Sequence, residues 1–356
     1  MKQEHKYTQA EIFGTFTPKE TILTRLKTDE ATYSKFCKLK ENDKKNFLAF
    51  LSGERGLEVL LDSFFRKIFN PAEKKERMCS LLSALLGETV EDFTVMPREG
   101  DQLYEKGSIV VMDILVQLKD GRLVDVEMQK IGYRFPSQRS TCYASDLVMR
   151  QYNTLRAKHG KDFHYDMIRP VNIIVIIEST DKEFSTSPDY LHKRQVSYSS
   201  GIDLPETVNI TYLTLDRFKK PVQNIIDPLD KWLAFFTYKE PNDIISLVNS
   251  YPEFLPIYHE ISEFRKEPKE AISMYSEALS VLDHNTELYM IEEKRQEIKA
   301  LQQEKQALLN EKQALTDEKQ ALLDEKQTLS DEKQALLDEN ERLRALLKSG
   351  GLNFDS

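Results

Sequence analysis

The spacing of apolar residues changes several times along this chain of 356 residues, and each change marks a different kind of element. Residues 1–55 are polar and lysine-rich, with helical patches such as TYSKFCKLKENDKKNFLAFLSG, and predict a helical N-terminal extension. GLEVLLDSFFRKIF (56–69) and EKKERMCSLLSALLGE (73–88) carry apolar residues at i, i+3 and i+4 with Pro71 between them, which predicts two helices or one helix broken at the proline. A short strand is expected near 92–97. SIVVMDILVQLKDGRLVDVEMQK (108–130) switches to alternation on either side of Asp120-Gly121 and reads as a β-hairpin. SQRSTCYASDLVMRQYNTLRAKHG (137–160) predicts a long helix closed by Gly160. IRPVNIIVIIES (168–179) is too continuously apolar for a half-exposed strand and predicts one buried on both faces, and VNITYLTLD (208–216) predicts another strand. From about 217 to 300 the pattern is helical, punctuated by prolines at 221, 228, 241, 252, 256 and 268.

Beyond Glu304 the period becomes seven, with leucine at 301, 308, 315, 322, 329, 336 and 343. This is a heptad array. With leucine at position d, position a is lysine in five successive repeats (305 to 333) and then Asn340, so half of the usual apolar seam is missing. A long solvated helix and a self-associating coiled coil are the two readings, and the leucine stripe favours a homodimer. The domain plan expected from the pattern is a helical extension (1–55), an α/β domain (56–240), a helical region (241–300), a coiled coil (301–346) and a flexible tail (347–356).

The hairpin carries the chemistry. Asp125, Glu127 and Gln129 share one parity and therefore one face of the second strand. A two-residue loop would set Asp113 opposite Met128, on the apolar side. A three-residue loop (Lys119, Asp120, Gly121) sets it opposite Glu127, and such a loop needs a left-handed residue where Gly121 stands. Like charges directly opposed at ~4.5–5.5 Å repel. A sheet does not build that pair for stability, whereas a divalent cation between the carboxylates removes the repulsion.

Composition narrows the classes. Mean hydropathy is -0.52, and no apolar run approaches the roughly 20 residues of a membrane span. The first residues lack the apolar core of a signal peptide, so a cytoplasmic protein without membrane association is expected. Three cysteines (37, 79 and 142) have no metal-like spacing and suggest buried thiols in a reducing compartment. The net charge of -9 does not suit a nucleic-acid binder, yet from Lys130 to Lys161 seven bases face one acid, Asp146. An acidic pair followed by a basic helix suits phosphodiester hydrolysis, where cations neutralise phosphates and a metal activates water.

Asp113, thirteen residues, then Glu127-x-Gln129 resembles the PD-(D/E)XK nuclease superfamily, and in particular its Rpn-type recombination-promoting nuclease/transposase group. The flanks LDSFFRKIF, VDVEMQ, Arg139 with Tyr143, and IRPVNIIVIIE carry the likeness over roughly 56–240; the first 50 residues and the heptads lie outside it. The resemblance implies an α/β restriction-endonuclease-like core, a mixed central sheet flanked by helices. It implies a DNA endonuclease using Mg²⁺, or Mn²⁺ in its place. It assigns Asp113, Glu127 and the Met128 carbonyl as metal ligands, with Asp113, Glu127 and Gln129 as catalytic residues. Gln129 occupies the signature's lysine position; it orients water but brings no charge. Lys67, Lys106 and Arg139 are candidates to compensate, and Arg139 and Tyr143 either hold phosphate or pack as a surface pair. Asp125 is either an outer partner of the site or a satisfied surface residue. The alternative is an inactive nuclease-like module that binds DNA or protein and is assembled by the coiled coil.

Overall fold

The computed structural model describes residues 6–58, 62–97, 113–131, 136–180 and 183–349, and the chain divides into two compact units, Met1–Glu287 and Leu288–Ser356. Four helices open the first unit: α1 (Gln9–Phe13), α2 (Lys19–Lys27), α3 (Glu30–Lys38) and α4 (Glu41–Ser52). Their starts follow from local chemistry. Thr8 and Glu11 form a reciprocal capping box on α1, and the Asp29 carboxylate accepts the Thr32 N–H at 3.0 Å to cap α3. Ile12, Ile22, Leu26, Phe36 and Phe47 turn inward into the same core as the sheet, so this lysine-rich segment is amphipathic throughout. Next come α5 (Asp62–Ile68) and α6 (Lys75–Leu86), two helices with Pro71 in the turn between them.

Six strands make one mixed sheet: β1 (Phe93–Val95), β2 (Ile114–Leu118), β3 (Leu123–Ile131), β4 (Val171–Ser179), β5 (Leu191–Lys193) and β6 (Val208–Thr214), in the order β1-β2-β3-β4-β6-β5. The first three pair antiparallel, β3, β4 and β6 pair parallel, and β5 closes the far edge antiparallel. β4 is buried on both faces over its first seven residues, as its unbroken apolar run predicts. β5 has no alternating pattern in sequence and was not expected.

Parallel strands need a crossover, and α7 (Pro136–His159) supplies it between β3 and β4. Tyr143, Ala144 and Leu147 of α7 pack on Leu115, Leu123, Ile173, Val175, Ile210 and Tyr212. The side-chain amide of Gln151 fixes the end of the crossover: Nε2 donates to the Arg169 carbonyl at 2.9 Å while Oε1 accepts the Arg169 N–H at 3.0 Å. The opposite face of the sheet (Ile114, Val116, Val124, Val126, Met128, Ile174 and Ile176) enters the larger core. That core also receives α5, α6, α8 (Pro228–Thr237), α9 (Pro241–Ser250), α10 (Leu255–Lys266) and the first turns of α11 (Pro268–Ser349). The family of elements is that of an α/β domain whose sheet is sandwiched between one long helix and a thick helical layer.

The three cysteines are free, and the expectation of buried thiols fails: Cys37 and Cys142 are exposed and Cys79 is half-buried. No described helix is long and apolar enough to cross a membrane. In the second unit α11 continues as helix to Ser349, with the leucine stripe on its surface.

The hairpin has the three-residue loop. Ile114 pairs with Val126 and Leu115 with Asp125; the Leu118 N–H donates to the Arg122 carbonyl at 2.9 Å, and Gly121 has φ of +88°. A side chain there would be strained in the left-handed region and would meet Arg169 Cγ at 3.1 Å. Gly121→Ala is therefore expected to lose about 1–2 kcal/mol of stability, the left-handed penalty of an L-residue, and Gly121→Asn distinctly less. Urea unfolding of the two variants checks this.

Candidate active site

The three-residue loop decides which side chains meet. One step beyond the Ile114–Val126 pair, Asp113 lies across from Glu127 at the mouth of β2. The two carboxylates are held by main-chain donors of the opposite strand: the Asp113 N–H donates to Glu127 Oε1 at 3.1 Å, and the Met128 N–H donates to Asp113 Oδ2 at 2.9 Å. This reciprocal contact fixes both side chains at one edge of β3, where β2 ends. The ladder's alternation sends the carbonyl of a strand residue to the same side as its N–H, so the Met128 oxygen points along the same edge.

Parity places Asp125 and Gln129 on the Glu127 face, and α7 seals that face. Glu127 and Gln129 are buried, and Asp125 is wholly so at 0% exposure. Asp125 is not the satisfied surface residue that sequence allowed. Both of its carboxylate oxygens, and Oε1 of Gln129, are buried without a hydrogen-bond partner among the described residues. Burial drives the Asp125 carboxyl well above the usual range and the Asp113 charge adds to it, against the opposing pull of Arg150 and Arg139. Glu127 is raised for the same first reason, with Asp125 and Asp113 contributing, while the Asp113 N–H bond and Arg139 work the other way.

Above this face α7 presents Arg139, Tyr143 and Arg150. Arg139 Nη2 donates to the Tyr143 hydroxyl at 2.5 Å, and its guanidinium lies 5.1 Å from the Tyr143 ring centre. Arg150 is held by Asp146 at 2.7 Å and by the Pro97 carbonyl at 3.1 Å. Sequence reasoning counted Arg150 among the bases of the helix without assigning it to the site. Its signal was available: positions 139, 143 and 150 stand at i, i+4 and i+11, three turns along one helical face. The remaining cations fall elsewhere. Lys67 lies on α5, in the layer on the other side of the sheet, where its ammonium pairs with Glu270 and sits 5.1 Å from the Phe264 ring centre. Lys106 lies outside the described residues.

Comparison with known families adds the decisive observation: the model of the PD-(D/E)XK nuclease family transposases matches residues 59–293, well over half of the chain. The chain belongs to this family. The match extends past the strands to the helices through α10 and into α11. No curated protein and no solved structure matches the chain. The six-stranded mixed sheet flanked by helices agrees with the PD-(D/E)XK fold, and membership implies a nuclease-type hydrolase acting on DNA. Nucleases of the family generally use divalent metal ions. The donors here suit a hard cation, being carboxylate, amide and main-chain oxygens with no thiol or imidazole among them. Among the described residues no three His, Cys, Asp or Glu side chains converge on one point. The described geometry brings Asp113 and Glu127 together through main-chain donors, with the buried carboxylate of Asp125 on the same face of the sheet.

The acidic face also has a cost that can be measured. An Asp carboxyl ionises near ~3.9 in an unfolded chain. Because the folded protein raises the Asp125 value, folding is penalised at every pH above ~4, increasingly so as the pH approaches the folded value, and the penalty is absent below ~4. Asp125→Asn removes the charge at nearly constant volume. Its melting temperature in chelator is expected to exceed that of the parent by several degrees at pH 7–8, with the gain vanishing toward pH 4. Thermal melts across that range test the sign.

Proposed function

We propose that the chain is a divalent-metal-dependent DNA endonuclease that hydrolyses phosphodiester bonds at the Asp113–Glu127 pair. The observation that carries this reading is the reciprocal clasp of the two carboxylates across the mouth of β2, which spends main-chain donors to hold like charges together. Asp113, Glu127 and the Met128 carbonyl would hold the ion, Mg²⁺ or Mn²⁺. Such an ion, when bound, polarises water for attack on phosphorus and stabilises the departing sugar oxygen. Gln129 offers a buried, unpartnered carbonyl oxygen that can accept a hydrogen bond from the attacking water. It cannot take the proton or supply the charge of the lysine that the superfamily's signature has at this position. Arg139 is the cation of the described residues best placed to meet a phosphate, since it already feels the charges of Asp125 and Glu127 and is moored on Tyr143.

One observation favours a second reading. The absence of a lysine at Gln129 suits a nuclease-like module that binds DNA without cutting it. In either case the leucine stripe of α11 is proposed as the surface through which two copies of the chain assemble.

Nicking of supercoiled plasmid separates the two readings. The parent protein is expected to nick in Mg²⁺ or Mn²⁺ and to be silent in chelator. Asp113→Ala and Glu127→Ala should each lose at least about 100-fold of the activity, the scale of an essential catalytic group, while circular dichroism stays unchanged. Gln129→Lys should retain or raise activity. A parent protein that retards DNA in gels yet never nicks it, with Gln129→Lys equally silent, would establish the binding module instead.

A further inference from the structure

Each leucine at seven-residue spacing from Leu301 to Leu343 is between 49% and 70% exposed. The rows beside this stripe carry charge in a fixed order. With leucine at d, lysine occupies a and glutamate occupies g, the position immediately before it, as in Glu311-Lys312. Neighbours in sequence do not face one another on a helix, and pairing along one helix needs a spacing of three or four. The glutamates and lysines of the repeats accordingly form no ion pair within 4.0 Å among the described residues, whereas Lys294 and Glu297, three apart and ahead of the repeats, do pair. The outer positions b and f behave differently: Gln313 and Gln320 donate to Asp317 and Asp324, each at 2.8 Å, and the same i, i+4 bond recurs in the following repeats. The outward face is self-sufficient, and the charges flanking the leucines are left for something else.

We propose that this stripe pairs with the same stripe of a second copy of the chain, parallel and in register. The inference rests on the self-association proposed above and specifies its geometry. In an antiparallel pair the g rows face each other, which would set the glutamates from Glu304 to Glu339 against their like. In a parallel pair each a lysine lies across from the partner's lysine, and its long stem lets the ammonium leave the seam toward the partner's glutamate at the preceding g position. Lys312 then meets the partner's Glu311, and every repeat makes the same exchange in both directions. The parallel arrangement also sets Glu339 at g against Arg344 at e, five residues on in the partner.

Register follows from the ends of the array, because the middle repeats are nearly interchangeable. Position a is Ile298 at the start, Asn340 near the end and Leu347 after it. Only the unshifted alignment puts asparagine on asparagine and leucine on leucine at these a positions. A slip of one repeat buries Asn340 against Lys333 and Leu347 against Asn340. A single asparagine at a is the known device for holding register.

Single cysteines at d report both properties in the full-length chain. Leu308→Cys and Leu336→Cys are made separately, with Cys37 and Cys142 replaced by serine, and oxidised mildly at micromolar concentration. Sedimentation of the unmodified chain at the same concentration gives its mass. The expected result is a dimer in which each variant links to itself, with self-linked product exceeding any 308–336 product in a mixture by at least about ten-fold, as facing d positions require. Linkage only in the mixture would mean antiparallel helices and overturn the proposal. A third variant, Leu315→Cys in the same background, checks the register: its linkage to Leu308→Cys in preference to self-linkage of Leu308→Cys would overturn it. A monomer in sedimentation would instead remove self-association itself, and a trimer would overturn the two-copy assembly.

Discussion

Repulsion among carboxyl groups gathered on one face of a sheet is the constraint around which the first unit is organised. Asp125 and Glu127 are buried beneath a helix, with the half-buried Asp113 across from Glu127, and burial and mutual charge raise Asp125 and Glu127 together. Such an arrangement survives only where the surroundings over-determine it. Here the surroundings are β4, buried on both faces, and a helical layer on the reverse side that anchors Val124, Val126 and Met128 between the acidic positions. Alternate residues of β3 thus carry opposite duties: even positions secure the strand, and odd positions hold the acids. The arginines of α7 approach from above and supply the only described counter-charge that bears on Asp125.

α7 joins several of these roles. It is the crossover that parallel pairing of β3 and β4 demands, the lid over the acidic face, and the carrier of Arg139, Tyr143 and Arg150. A residue change on its inner face would therefore act on packing and electrostatics together. Gln129 matters in the same frame. A lysine at that position would place an ammonium inside the acidic face, whereas the amide leaves the positive charge to the arginines of the helix.

Much of this could be read in the chain before any coordinates. Parity alone aligned Asp125, Glu127 and Gln129, and the demand of Gly121 for a left-handed turn selected the loop length that brings Asp113 opposite Glu127. Those are local properties, with a period of two and a turn of three residues. What sequence could not supply was tertiary. Alternation says which residues share a face but not whether that face is sealed, so the total burial of Asp125 appeared only with α7 in place. Lys67 was a plausible companion of the site until Glu270, 203 residues away in sequence, was seen to hold it. The cysteines misled because average burial of a residue type says little about three particular positions, and β5 is too short to show a period.

The near-identity of the seven-residue units has a consequence for how the second unit can change over evolutionary time. Loss or gain of one whole unit keeps leucine, lysine and glutamate on their rows, because seven residues turn a straight helix to within ~20° of its starting direction. The length alters by about 10 Å per unit at a rise of ~1.5 Å per residue. Replication slippage at such a repeat thus lengthens or shortens the stripe in discrete steps without rewriting its chemistry, while Ile298, Asn340 and Leu347 at its two ends remain outside the repeated stretch. The segment behaves as a ruler whose graduations can be added or removed.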